Sequence, residues 1–285
     1  MKGLSARQWG ERFVVAVFFA LIGSLIMLVF SPWEPLLGPV NDYLGRIGLI
    51  VSLLAAALLL RRSSRQEKYW QLAFGLLIMA VAVSLDQVFG QYLVGYLGVR
   101  DNSPAGMALL KLNECAVIVS VIVLFTWISG SSLGSIYIQK GKLKLGLIIG
   151  LGTFFLAAAG SVPMADLFYG RDLTSARIIP WIPWLLIFVL ANASLEELLF
   201  RGLFLRKLEP FFGRFFSILL VAFVFTLLHG TVTYTSDMRM FLVVVFPLAL
   251  AWGYVMQKTD GLWGSILFHA GMDIPILLGI FSNLS

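Results

Sequence analysis

The chain has 285 residues, of which 59% are hydrophobic and 13% charged, with a mean hydropathy of +0.92. Soluble domains run near ~45–50% apolar and ~25% charged, so a water-soluble enzyme, a disordered regulator and a nucleic-acid reader are all excluded, and no nucleic-acid partner is expected despite the formal net charge of +6. The single cysteine, Cys115, excludes an intramolecular disulfide framework and any multi-cysteine metal site.

A helix needs ~20 mostly apolar residues to cross ~30 Å of hydrocarbon. In chain order the segments that meet this are 13–30, 44–60, 70–97, 108–129, 143–162, 180–205, 215–229, 239–257 and 262–280. The third is long and the seventh short, so eight spans with one re-entrant or interfacial segment is the alternative to nine. Lys2, Arg7 and Arg12 precede the first span. Its apolar run is too long for a signal peptide and no A-x-A site follows, so it reads as a retained anchor. The predicted fold is an all-α polytopic bundle of eight to nine transmembrane helices. Residues 1–179 supply about five spans, and 180–285 form a core that carries the chemistry.

The basic residues agree with alternation from a cytoplasmic N-terminus. Nine spans then leave Lys2, Arg7, Arg12, Arg61, Arg62, Arg65, Lys68, Lys140, Lys142, Lys144, Arg206, Lys207, Arg214 and Lys258 inside. Only Arg46, Arg100, Arg171, Arg177 and Arg239 fall outside. This asymmetry is what the positive-inside rule expects. Compact loops suggest a prokaryotic plasma membrane, with the lipid bilayer as the chain's constant partner.

Ionisable residues within hydrocarbon are costly, so they pair, face a cavity or serve the function. Here they are Asp86, Lys111, Glu114, Glu196, Glu197, Arg201, His229, His269 and Asp273, including both histidines of the chain. Asp86 with Gln87, and Lys111 with Glu114, read first as structural contacts; the latter two are three apart and can pair on one face. The others lie on the sixth, seventh and ninth spans. Glu197 and Arg201 are four apart and can form an ion pair. Glu196 lies ~100° further round that helix. The bland alternative is that Arg201 snorkels to the surface, which leaves two adjacent glutamates unexplained. His269 and Asp273 also share a face. At 1.5 Å per residue from the inner ends of their helices, Glu196, His229, His269 and Asp273 fall ~12–22 Å deep. One shared level on three helices points to one site.

At these residues the sequence resembles the CAAX-protease and bacteriocin-processing family of glutamic intramembrane proteases. The family pattern is E-E-x-x-x-R, then F-x-x-x-H, then H-x-x-x-N or H-x-x-x-D. This chain supplies Glu196, Glu197 and Arg201, then Phe225 and His229, then His269 and Asp273. The resemblance covers about residue 180 onward. It implies that Glu196 is the general base and acts with His229 on a water. It further implies that Glu197 and Arg201 orient Glu196, and that His269 with residue 273 stabilises the oxyanion. An ionised Asp273 would repel an oxyanion where asparagine would donate to it, so Asp273 is better suited to orienting His269. Phe225 is expected to pack beneath the site.

No cofactor is expected. Zinc is the rival, since histidines and carboxylates can hold it with an open position, but H-E-x-x-H is absent. The reading is therefore an intramembrane endopeptidase. Its partner would be a membrane-anchored or lipidated protein or peptide; the family's substrates include CaaX proteins, peptide precursors and C-terminal sorting tails. The rival functions are a non-proteolytic bacteriocin-immunity or scaffold protein and, less favoured, a proton-coupled transporter. Oligomeric state is not legible. Pro180-Trp181-Ile182-Pro183-Trp184 reads as a helix start at an interface. Gly230, Gly264 and Gly271 are candidates for close helix approach, and Met272 for packing.

Overall fold

The computed structural model describes residues 5–30, 36–64 and 66–284. Lys2 and Arg65, counted above among the inside cations, lie outside the described residues. Among the described residues there are helices and no strand. This follows from the solvent: in hydrocarbon every backbone polar group must be satisfied within the segment, which a helix does.

The long helices are α1 (Ala6–Ser24, extended by a π turn Leu25–Val29), α2 (Pro39–Arg62) and α3 (Glu67–Phe89), followed by the short α4 (Tyr92–Leu97). Then come α5 (Pro104–Ile128), α6 (Leu143–Met164), the single turn α7 (Ser175–Ile178), α8 (Ile182–Glu196), α9 (Leu203–Leu228), α10 (Met238–Thr259) and α11 (Trp263–Ser282). The long third span of the sequence is thus two helices broken at Gly90. Local chemistry sets several starts. Ser5 and Gln8 form a capping box at α1, Ser103 accepts from the Gly106 N–H at α5, and Asp237 accepts from Arg239 and Met240 at α10.

Among the described residues, eight helical stretches are long and apolar enough to cross a membrane. The sixth runs Ser175–Thr231, 57 residues. A straight helix of that length would be ~85 Å long, far beyond a ~30 Å core. The backbone leaves the helical region at Gly213, with φ 71° and ψ 174°, a conformation that costs glycine little. The Phe200 and Phe225 rings, on opposite sides of this break, meet at 5.1 Å; in a straight helix they would stand ~37 Å apart. The segment is therefore a hairpin holding the sixth and seventh predicted spans.

Two networks mark the ends of the bundle. At one end Glu11 meets Lys68 and Tyr69, Tyr69 stacks on Phe211, Tyr137 reaches Glu209, and Gln139 reaches Asp260. At the other, Tyr169 meets Thr235, and Arg171 and Arg177 meet Ser282. Of the described cations that the charge count places inside, Lys68, Arg206 and Arg214 make their contacts at the first end.

α11 is the central helix, with 72% of its apolar window buried, against 17% for α2 at the periphery. It packs on α6, α8 and α10. The α6–α11 contact is glycine-lined. A Cβ on Gly264 would stand 2.8 Å from the Gly146 carbonyl oxygen, and one on Gly271 would stand 2.6 Å from Phe154 Cα. Small residues are what let two membrane helices approach this closely. Gly230, the third candidate, has open space beside it, because it lies in the turn beyond α9 rather than between helices.

Candidate active site

Three elements converge near the middle of the bundle: the end of α8, the hairpin arm of α9 that returns from Gly213, and α11. Directly after α8 the helix widens into a π turn, Glu197–Gly202. Such turns are rare and occur often at functional sites. Its wider pitch brings positions four apart nearly into line, and Glu197 and Arg201 use this. The Arg201 Nη1–H donates to Glu197 Oε1 at 2.7 Å, and both side chains are fully buried. The ion pair expected from spacing is formed. Arg201 does not snorkel, since it lies inside the protein.

Glu197 is saturated. Beside Arg201, its Oε1 receives His269 Nδ1 at 2.8 Å, and its Oε2 accepts the Ser265 hydroxyl at 2.5 Å. Ser265 lies one turn before His269 on α11 and also meets the Trp252 carbonyl at 3.1 Å. A buried carboxylate is tolerated only when its charge and lone pairs are met in this way.

Glu196, its neighbour, has a different environment. Its side chain retains 18% exposure, and its Oε2 is buried without a hydrogen bond, 3.5 Å from His269 Nε2. The other flank of Nε2 faces Asp273 Oδ1 at 3.6 Å. Asp273 accepts instead from Asn192 Nδ2 at 3.0 Å. Thus the short bond on His269 comes from Glu197 at Nδ1, and two carboxylates share the approach to Nε2. Because ionised Glu197 can only accept, Nδ1 carries a proton there, which leaves Nε2 pointing toward Glu196.

Aromatic rings fill the space between the charges. Trp252 of α10 stacks on His269, with centroids 3.9 Å apart and planes 10° apart. The Arg201 guanidinium sits 4.3 Å from the Phe225 centroid and 5.1 Å from that of Trp252. Arg201 Nε and Nη2 have no hydrogen-bond partner, and ring faces take their place, as a desolvated cation allows. Phe225 packs at 4.4 Å from His229 and 6.0 Å from His269, at the position expected for it.

His229 caps α9, with Nδ1 against the Phe225 carbonyl at 2.8 Å. That carbonyl can only accept, so Nδ1–H donates and Nε2 stays available. Among the described residues neither a hydrogen bond nor an ion pair joins His229 to Glu196. Phe225 packs against both His229 and His269.

Four contributors escaped the sequence reading. Asn192 and Ser265 carry a signal that could have found them: each lies one helical turn before a recognised residue, Glu196 and His269. Trp252 carries none, because a tryptophan in an apolar helix is unremarkable. Tyr234, in the connection before α10, lies within electrostatic reach of Glu196 and Asp273. Burial, reinforced by those charges, pushes its phenol well above the ordinary value, so it stays a proton donor.

The pair Lys111–Glu114 forms on α5 at 2.6 Å, as its spacing suggested, and α5 packs on α8. Both charges lie within electrostatic reach of Glu196, which the sequence did not indicate. Among the described residues, no group of three histidine, cysteine, aspartate or glutamate side chains is arranged to hold a metal ion.

Fold and site together define a multi-pass membrane protein with a buried glutamate–histidine centre. Residues 178–275, about a third of the chain, match the family model described as type II CAAX prenyl endopeptidase Rce1-like. The match spans all three motifs and agrees with the resemblance they carry; it supports an intramembrane endopeptidase. No curated protein and no solved structure matches the chain.

Proposed function

We propose that the protein hydrolyses a peptide bond of a membrane-anchored or lipidated protein or peptide, using a water activated by Glu196 and His229. One observation carries this reading: two adjacent glutamates receive opposite treatment. Glu197 has its acceptors filled by Arg201, Ser265 and His269. Glu196 keeps an oxygen without a hydrogen bond, 3.5 Å from Nε2 of the same histidine. Buried polar groups are generally satisfied, and of these two adjacent glutamates only Glu196 departs from that rule. An acceptor left free in a nonpolar site is suited to taking a proton.

In this mechanism Glu196 removes a proton from water as the oxygen attacks the scissile carbonyl. His229 Nε2 holds the water. His269 acts as the imidazolium: Nδ1–H is held by Glu197, and Nε2–H donates to the developing oxyanion. Collapse of the tetrahedral intermediate breaks the C–N bond, and Glu196 passes its proton to the departing amine. The products are a carboxylic acid and an amine, with no net proton consumed beyond the water's. Asp273, tied to Asn192, completes the electrostatic setting of His269. Metal-free activation is part of this proposal; Glu197 is already fully engaged and is a poor ligand.

The substrate class we assign is a membrane-anchored C-terminal or leader segment. The matched family's description names prenylated CAAX ends, whose lipid would remain in the bilayer while the peptide enters the bundle. We place the N-terminus in the cytoplasm of a prokaryotic cell, on the distribution of basic residues. The test is cleavage of a lipidated C-terminal peptide by purified protein in detergent. Retained cleavage by Glu196→Gln would defeat the mechanism, and cleavage of no membrane-anchored peptide by the unaltered protein would defeat the activity.

A further inference from the structure

A cavity lies away from this site, at the end of the bundle that holds Gln139 and Asp260. It measures about 790 Å3 and is walled by the loop before α6, the α9 segment around Gly213 and the end of α10. Arg206 begins this wall, ten residues and ~15 Å along the helix from Glu196.

Four cations line it, Lys142, Arg206, Arg214 and Lys258, against two carboxylates, Glu209 and Asp260. Both carboxylates are engaged. Asp260 holds Arg206 and accepts from Gln139 at 2.8 Å, while Glu209 accepts from Gln257 at 2.9 Å and from Tyr137. The cations are not correspondingly used. Lys142 and Lys258 make no side-chain ion pair or hydrogen bond among the described residues. Among the described residues the Arg214 guanidinium bonds only the Gln257 carbonyl, at 2.6 Å. Arg206 is fixed over the Tyr137 ring at 4.4 Å, and its Nε is buried without a hydrogen bond. Burial raises the Tyr137 phenol, which therefore remains a neutral donor. The floor is rigid, because the Lys142 backbone N–H bonds the Thr259 carbonyl at 2.6 Å. The cavity thus offers surplus positive charge and unfilled donors. Exposed Phe215 and Tyr254 continue it along the hydrocarbon side.

We propose that this cavity binds a phosphate-bearing anion, supplied by the headgroup of an anionic phospholipid. Unpaired cations match the phosphodiester, and the aromatic flank matches the first part of an acyl chain. Its volume lies within the ~300–1,000 Å3 of ordinary ligand pockets, and basic pockets between transmembrane helices are a known lipid-headgroup environment.

The test uses the full chain in nanodiscs of phosphatidylcholine, with phosphatidylglycerol added stepwise and the unfolding temperature as readout. The shift should saturate at a few mole per cent of the anionic lipid. Lys142→Gln/Lys258→Gln should weaken the apparent affinity about tenfold or more, at ~1 kcal/mol per lysine. Both lysines are exposed, so this variant folds. A control of equal charge change, Arg62→Gln/Lys144→Gln, lies outside the cavity and should respond as the unaltered protein does. Inorganic phosphate and glycerol 3-phosphate, added to pure phosphatidylcholine discs, distinguish a soluble source. A shift with these in place of the lipid would overturn the headgroup assignment. Equal responses of the cavity variant and the control would overturn the site, as would no response to any of the three.

Discussion

His269 Nδ1 stands 2.8 Å from Glu197 Oε1, so α11 is pinned to the turn after α8 through this contact together with that of Ser265. The same oxygen holds Arg201. Removing the carboxylate leaves a buried guanidinium with no counter-charge. Glu197→Ala is expected to lower stability by about 3–5 kcal/mol, and Ser265→Ala, which removes one bond to the same group, by about 1.5–3 kcal/mol. Denaturant unfolding in detergent measures both.

Glu196 makes no hydrogen bond through its buried oxygen, so an amide in its place would leave no hydrogen-bond partner of that oxygen unmet. Glu196→Gln should leave the unfolding temperature near that of the unaltered protein. Its cleavage rate should fall by about 10²–10⁴, the contribution of a positioned general base. Paired melting and cleavage measurements separate this outcome from that of Glu197→Ala, where both decline.

A water activated by glutamate and histidine needs no metal. Cleavage should persist after dialysis against EDTA and with 1,10-phenanthroline present, and added zinc should not raise it. Loss of activity with a chelator, restored by zinc, would contradict the metal-free step.

The α6–α11 contact depends on absent side chains. Gly271→Val and Gly264→Leu would each drive carbon into backbone at van der Waals contact, and overpacking of this kind costs about 1–3 kcal/mol or more. Gly230→Ala, with open space around it, should be nearly neutral. Thermal unfolding of the three variants checks the ranking.

Lys111 and Glu114 test the value of a buried pair. Lys111→Met leaves Glu114 without its 2.6 Å partner and should cost about 3–5 kcal/mol. Adding Glu114→Leu should restore most of it, since a buried pair is often replaceable by apolar residues. A double variant no better than the single one would show that Lys111 acts chiefly on other charges.

The helical bundle was legible in the sequence because hydropathy reports directly on length in hydrocarbon. The Glu197–Arg201 pair was legible because four-residue spacing places two groups on one helix face. The meeting of His269 with Glu197 was not, since it depends on how α8 and α11 cross. The spacing of His269 and Asp273 put them on one face, and they stand 3.6 Å apart; the bond of Asp273 to Asn192 on another helix was not legible. The π turn was invisible, as no residue in Glu197-Leu198-Leu199-Phe200-Arg201-Gly202 announces it. Trp252 could not be distinguished from other apolar residues until the fold brought its ring against His269.

The position of α11 has a consequence for biosynthesis. It is the last of the described helices to leave the ribosome, and it alone carries His269, Asp273 and Ser265. Until it inserts between α6, α8 and α10, Glu197 lacks two of its three partners and the centre does not exist. On the proposed mechanism, chains interrupted before α11 would therefore enter the bilayer without hydrolytic capacity, and the proposed centre would form only once this heavily buried helix had docked.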